Sequence, residues 1–92
     1  MVAAWDDRDE VEATLRASLV DVLGINEERV ARFDELTPLF GAVPEFDSMA
    51  VAGLLTEIEE RLGILIEDDD VEAETLETFG SLLTFLRGKA LQ

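Results

Sequence analysis

No stretch of this chain alternates apolar and polar residues with the period of two that a half-buried strand requires. Three stretches instead repeat apolar residues at intervals of three and four. Val11, Leu15, Leu19, Val22 and Leu23 form one stripe of an amphipathic helix running from Asp6, and Gly24 suits its C-terminal stop. Asp6, Asp7, Asp9 and Glu10 crowd its opening turn, where negative charge meets the positive end of the helix macrodipole. A second run, Met49, Ala52, Leu55, Ile58 and Leu62 with Leu54 beside it, starts at Asp47 or Ser48 and ends at Gly63. The third has Thr78 as its cap, Phe79, Leu82, Leu83 and Leu86 inward, and Arg87 and Lys89 where cations favour the C-terminal dipole. Ile64, Leu65 and Ile66 are too few to pair as a strand and link the two halves through the core. The fold class predicted is all-α.

The connections differ in character. Residues 25–46 contain Pro38, Gly41 and Pro44, which forbid a long helix. Ile25, Val30, Phe33, Leu36, Leu39, Phe40, Val43 and Phe46 are spread through them, so a long loop pinned to the core is predicted. Asn26, followed by Glu27 and Glu28, fits the cap of a single short turn reaching Phe33. The segment from Glu67 to Glu77 carries seven carboxylates and no basic residue, with Val71, Ala73 and Leu76 as its apolar positions. It predicts a short, strained third helix, the least stable part of the fold.

With 92 residues there is enough chain for one core, so residues 1–92 are read as a single domain. Asp plus Glu number 22 against 7 Lys plus Arg, and the net charge of -15 repels phosphate backbones and anionic membrane surfaces. Nucleic acid and membrane insertion are therefore excluded as expectations, and proteins with basic patches are the expected partners. At 48% hydrophobic the acid must coat a folded interior rather than replace one. Cysteine and histidine are both absent, which removes disulfides, thiolate nucleophiles, imidazole bases and the common soft metal ligands. No catalytic set and no metal site is expected: Asp68, Asp70 and Glu72 imitate the opening of a calcium loop, but Ala73 and Phe79 stand where it needs glycine and a bidentate carboxylate. The N-terminus shows no basic or apolar leader, which points to a cytoplasmic location, and Trp5 is read as packing on the outside of a small core.

The informative stretch is Pro44-Glu45-Phe46-Asp47-Ser48-Met49, where a proline-limited loop delivers Asp-Ser to the first turn of a helix ending in Glu59-Glu60-Arg61-Leu62-Gly63-Ile64. Here the chain resembles the acyl carrier proteins, and the order of helix, long loop, serine-bearing helix, short acidic helix and closing helix extends that resemblance over essentially its whole length. The resemblance implies a four-helix bundle with three main helices. It implies that Ser48, matched with Asp47 and Met49 to the family's Asp-Ser-Leu motif, is esterified to 4'-phosphopantetheine by a phosphopantetheinyl transferase that uses coenzyme A and magnesium. Acyl groups would then ride as thioesters on an arm supplying the thiol that this chain lacks, between acyl-transferring or synthase enzymes of fatty-acid or other lipid metabolism.

The position suits that task. A serine at the leading end of a helix projects into solvent, and the unpaired backbone N–H groups and dipole tolerate a phosphodiester. Asp47 can take the capping role and leave the Ser48 hydroxyl to react. Without a histidine, Ser48 is no triad nucleophile, so a separate enzyme must drive its modification.

In the resembled family, partners read acidic residues along this helix; Glu45, Asp47, Glu57, Glu59 and Glu60 match that part. The sequence departs from the housekeeping fatty-acid carriers just after the serine, where Ala50 and Gly53 replace acidic residues. Met49, Ala50 and Val51 are therefore candidates for apolar docking of a dedicated partner, as in a specialised bacterial carrier. Gly53, costing about 1 kcal/mol relative to Ala in mid-helix, marks either a close approach of another surface or simple tolerance.

Plainer readings stand beside these. Ser48 can be an N-cap alone, the glutamates a solvated face, and Val51, Leu54, Leu55 and Ile58 ordinary core, although in the resembled family such residues also receive the acyl chain. The rival function is an acidic helical interaction module with no prosthetic group. A carboxylate-only hydrolase fails for want of an apolar pocket that would raise one acid's pKa above its neighbour's. The chain is expected to act as a monomer, with its cargo left open among fatty acyl, polyketide and aminoacyl groups.

Overall fold

A computed structural model describes residues 7–90; Trp5 and Asp6 lie outside the described residues, as do the side chains of Asp7 and Asp9. Helix α1 spans Asp7–Leu23, α2 Glu27–Ala31, α3 Ser48–Leu62 and α4 Phe79–Ala90, with 3-10 turns at Asp68–Asp70 and Ala73–Leu76 before the last. No strand occurs among the described residues. The helices surround one buried cluster that includes Leu15 and Leu19 of α1, Leu54 and Ile58 of α3, and Leu82 and Leu86 of α4.

The boundaries follow local chemistry. Gly24, at φ 71°, closes α1 in a left-handed conformation, with Gly24 N–H donating to Val20 O (3.0 Å) and Ile25 N–H to Leu19 O (3.4 Å). This pattern satisfies the last carbonyls and turns Ile25 into the core. Asn26 Oδ1 accepts from the Glu28 and Arg29 N–H groups at 2.8 and 3.3 Å, so the short turn anticipated after it is a true helix, burying Val30. At α4, the Thr78 and Ser81 hydroxyls exchange bonds with each other's backbone N–H at 3.0 and 3.1 Å. Gly63, at φ 67°, ends α3.

The acidic segment after α3 forms the two 3-10 turns rather than an α-helical turn. Its connection is held from both sides: Glu59 Oε2 accepts from Ile66 N–H (2.6 Å) and Asp70 pairs with Lys89 Nζ (2.6 Å). The Lys89 hydrogen bond, aided by one from the Glu67 N–H, holds the Asp70 carboxyl below the usual carboxylate range.

Five large apolar positions depart from the sequence reading, among them Leu65, which is 68% exposed instead of passing through the core between Ile64 and Ile66. Val22 is 37% exposed because the α3 residue facing it is Gly53, which has no side chain to cover it. Leu36 (84%) and Phe40 (45%) stand out of a loop whose Ile25, Val30, Phe33, Leu39, Val43 and Phe46 are buried. Met49 is 86% exposed, since α3 buries Val51, Leu54 and Ile58 instead of the predicted Met49-Ala52 edge. That helix is apolar over more than half its circumference, and contact with α1 selects which stripe faces inward.

The long loop is fastened by polar contacts that the sequence pattern does not display. Residues 35–40 run beside residues 76–80, with Leu39 N–H donating to Glu77 O (2.8 Å), Phe40 N–H to Leu76 O (3.2 Å), Phe79 N–H to Thr37 O (2.8 Å) and Gly80 N–H to Glu35 O (3.1 Å). A Cβ at Gly80 would lie 2.5 Å from Glu35 O, so glycine is what allows this approach. Arg16 fastens the other end, donating to Val30 O (2.6 Å) and Phe33 O (3.0 Å) while its guanidinium lies 4.6 Å from the centre of the Phe79 ring.

Candidate functional site

The loop reaches α3 through two buried anchors. Val43 N–H donates to Leu39 O (2.8 Å) and Phe46 N–H to Val43 O (2.9 Å), a tight double turn. It buries Val43 and Phe46 and sets the Phe46 ring edge-on to Phe40, centroids 6.3 Å apart. Arg29 pairs with Glu45 at 3.2 Å and ties α2 to the same turn. Asp47 follows in extended conformation, and its Oδ1 accepts from Ala50 N–H at 2.8 Å. Capping is thus done by Asp47, as its position beside the serine predicted.

Ser48 is therefore the first residue of α3, exposed, with its hydroxyl in no hydrogen bond among the described residues. No acidic residue follows it in the first turn. A phosphodiester at this oxygen would meet unpaired backbone N–H groups and the positive end of the helix dipole, with Asp47 turned onto the Ala50 amide. The residues present fit a phosphate-linked group at Ser48. Among the described residues nothing activates the hydroxyl: the adjacent carboxylate is committed to the cap, and the sequence has no histidine.

Ser48 borders two hollows. One, of about 340 Å³, lies on the loop side against Phe40, Val43, Pro44 and Phe46. The other, of about 390 Å³, runs between α3 and the 3-10 region along Val51, Ala52, Leu55, Thr56 and Glu59 to Ile66. A chain attached at Ser48 has an apolar-floored groove on either hand. A larger hollow of about 500 Å³, lined by Glu35, Thr75, Gly80, Ser81, Phe85 and Arg87, has none of the predicted site residues.

The remaining candidates divide. Met49 is exposed and Ala50 half-buried beside Ser48. Val51, expected on the docking surface, is only 6% exposed; it turns inward with the α3 core stripe and reaches the surface only as groove wall. Glu57 and Glu60 lie a helical turn or more beyond, and Glu57 is bonded to Arg61 Nε at 2.8 Å. Arg61 also bonds Asp21 of α1 at 2.9 Å, and its hydrogen bonds to Glu57 and then Asp21 raise its pKa. Glu60 is exposed. The sequence reading passed over Arg61 and Arg16, although each stands four residues after a glutamate, a spacing that pairs them on a helix.

Among the described residues no group of three or more His, Cys, Asp or Glu side chains is placed to hold a metal ion, and no helix is long and apolar enough to cross a membrane.

Residues 13–86 match the family described as a phosphopantetheine attachment site. The fold is similar to the solution NMR structure of a holo acyl carrier protein from Nitrosomonas europaea, with 38% sequence identity, a TM-score of 0.78, and 90% of this chain and 98% of that one covered. An exposed, uncapped serine at the start of α3, in a chain matched over most of its length, has one family reading: the chain belongs to the phosphopantetheine-binding acyl carrier proteins.

Proposed function

We propose that this protein carries acyl or related groups as thioesters on a 4'-phosphopantetheine arm joined to Ser48, and that residues 1–92 act as one monomeric, cytoplasmic carrier domain. The observation that carries the reading is the division of labour at α3: Asp47 satisfies the helix end, and the Ser48 oxygen is left exposed and unengaged. Loading needs a phosphopantetheinyl transferase. In that step the Ser48 oxygen forms a bond to the β-phosphorus of coenzyme A, the pyrophosphate link breaks, adenosine 3',5'-bisphosphate leaves, and the transferase's base takes the serine proton. The arm, once bound, supplies the thiol that accepts acyl groups from synthase or acyl-transferring enzymes, in fatty-acid metabolism or a more specialised pathway.

The chain's own contribution is placement. The Val43-Phe46 double turn fixes where Ser48 emerges, the cap bond fixes the direction of α3, and the helix dipole accommodates the charge at the linkage. Asp47, Met49 and Ala50 form the surface a partner meets next to the arm, and Glu57 and Glu60 extend it farther along α3. The test is incubation with a fluorescent coenzyme A analogue and a broad-specificity phosphopantetheinyl transferase. Wild type takes up the fluorophore and Ser48→Ala does not; no uptake by wild type would return the chain to the reading of an acidic binder without a prosthetic group.

A further inference from the structure

The two hollows that border Ser48 are not equal choices for a group attached there. Side chains of an α-helix lean toward its N-terminus. Ser48 is the first residue of α3, so a group added to its oxygen leaves toward the loop that precedes the helix rather than along it. The hollow on that side is lined by Phe40, Val43, Pro44 and Phe46, and by Asp47 and Ser48 themselves.

Phe40 is the residue on this wall with most apolar surface left to cover, at 45% exposed. Its backbone is nevertheless fixed. The Phe40 N–H donates to Leu76 O (3.2 Å), and the Ala42 and Val43 N–H groups on its far side both donate to Leu39 O (3.1 and 2.8 Å). Its ring is braced edge-on by Phe46, which is only 2% exposed, the two planes standing 78° apart. An aromatic held in place and left half-exposed is a ready surface for an apolar group. The carboxylate on this wall belongs to Asp47, and its Oδ1 is turned onto the Ala50 N–H. The α3 side offers less close to the serine. Val51 is 6% exposed and has little left to cover, Ala52 presents one methyl, and half-buried Leu55 comes about two turns later. Glu59 and Glu67 line that groove as well, and an apolar group laid over them would strip water from carboxylates.

We infer that Phe40 and the loop-side hollow seat the pantoyl end of the 4'-phosphopantetheine arm, whose paired methyl groups sit on the carbon after the first methylene beyond the phosphate. The methyl groups cover the Phe40 ring with Pro44 beside it, and the arm starts over the loop instead of in the α3 groove. This rests on the carrier reading, since it concerns the arm that the reading attaches at Ser48. The phosphate keeps the leading end of α3, where the backbone N–H groups suit its charge, while the neutral part beside it meets the apolar wall. Because the thiol is at the opposite end of the arm, the seat steadies its root and leaves the reacting end to partner enzymes.

The test is NMR on the full chain, isotope-labelled in carbon and nitrogen, before and after loading from unlabelled coenzyme A by a broad-specificity phosphopantetheinyl transferase. Isotope-filtered NOE spectra should connect the arm's methyl groups to the Phe40 ring and to Pro44. On loading, the amides of Phe40, Gly41 and Ala42 should shift more than those of Leu55, Thr56 and Ile66. In loaded Phe40→Ala the methyl signals should move to their positions in coenzyme A, and in Phe40→Leu the contact with Pro44 should persist. The wild-type spectra decide the matter without either variant. Methyl NOEs to Leu55, Ile66 or Val71 in place of Phe40, or methyl groups in contact with no residue of the chain, would overturn the inference and leave the carrier reading standing. Wild type that takes up no arm from coenzyme A would remove the carrier reading itself, and this inference with it.

Discussion

Gly80 and Gly53 are both helical glycines, and the structure predicts opposite outcomes for replacing them with alanine. At Gly80 a Cβ would lie 2.5 Å from Glu35 O and 2.9 Å from Glu35 Cα, backbone atoms that no rotamer change can move aside. The loop segment must retreat, and with it go the bonds from Gly80 N–H to Glu35 O (3.1 Å) and from Phe79 N–H to Thr37 O (2.8 Å). Two partly shielded backbone bonds at about 1 kcal/mol each, plus residual strain, outweigh a propensity gain that at a helix's second residue is well under 1 kcal/mol. Gly80→Ala should therefore lose about 2 kcal/mol. At Gly53 the new methyl meets only Val22 Cγ1 at 3.9 Å, an ordinary contact, so the full mid-helix gain of about 1 kcal/mol is realised. For a domain of this size each kcal/mol moves the melting temperature by roughly 4–8 °C. Thermal and urea unfolding followed by circular dichroism should place the two variants on either side of wild type. A Gly80→Ala protein as stable as wild type would refute the claim that backbone contact at Glu35 fastens the loop.

Further outcomes follow from the same coordinates. Ser18 is fully buried in α1 and its hydroxyl has no hydrogen-bond partner among the described residues, so Ser18→Ala should stabilise the fold by about 1–2 kcal/mol in urea titration; a loss would mean that the hydroxyl is engaged after all. Asp70 has a folded pKa below its unfolded value, so its tie to Lys89 stabilises the 3-10 region above the ordinary carboxylate range and is lost as pH falls through the lowered value. A carboxyl NMR titration should show Asp70 moving up to the ordinary range in Lys89→Met, and an unchanged Asp70 titration would rule the tie out. With 22 carboxylates against 7 cations, NaCl or magnesium should raise the melting temperature at neutral pH by screening self-repulsion, and a melting temperature indifferent to salt would contradict this.

The features legible in the sequence are those decided within a turn of chain. Gly24, Gly63, Asn26, Asp47 and Thr78 act at their own helix ends, so residue type and position announce them. The exposure of Ser48 is legible for the same reason, since it follows from a proline-limited loop and a neighbour better suited to capping. What the pattern could not show depends on which surfaces meet. Periodicity marks α3 as amphipathic, but Met49-Ala52 and Val51-Leu54 edges fit it equally, and contact with α1 chooses the second. Val22 looks like core until Gly53 is found opposite it, and Gly80 looks like a weak helix residue until Glu35 is found against it. The carboxylates around α3 read as a uniform acidic face; Arg29 of α2 pairs with Glu45 of the loop, and Arg61, in the helix's own last turn, binds Glu57 and Asp21, partners that no periodicity announces.

On the proposed function the Ser48 oxygen, and no other group, receives the arm. Intact-mass analysis after treatment with coenzyme A, magnesium and a phosphopantetheinyl transferase should show one added phosphopantetheinyl group, with peptide fragmentation placing it on Ser48 and Ser48→Ala remaining unmodified. An added group mapped to another residue, or carried equally by Ser48→Ala, would contradict the account.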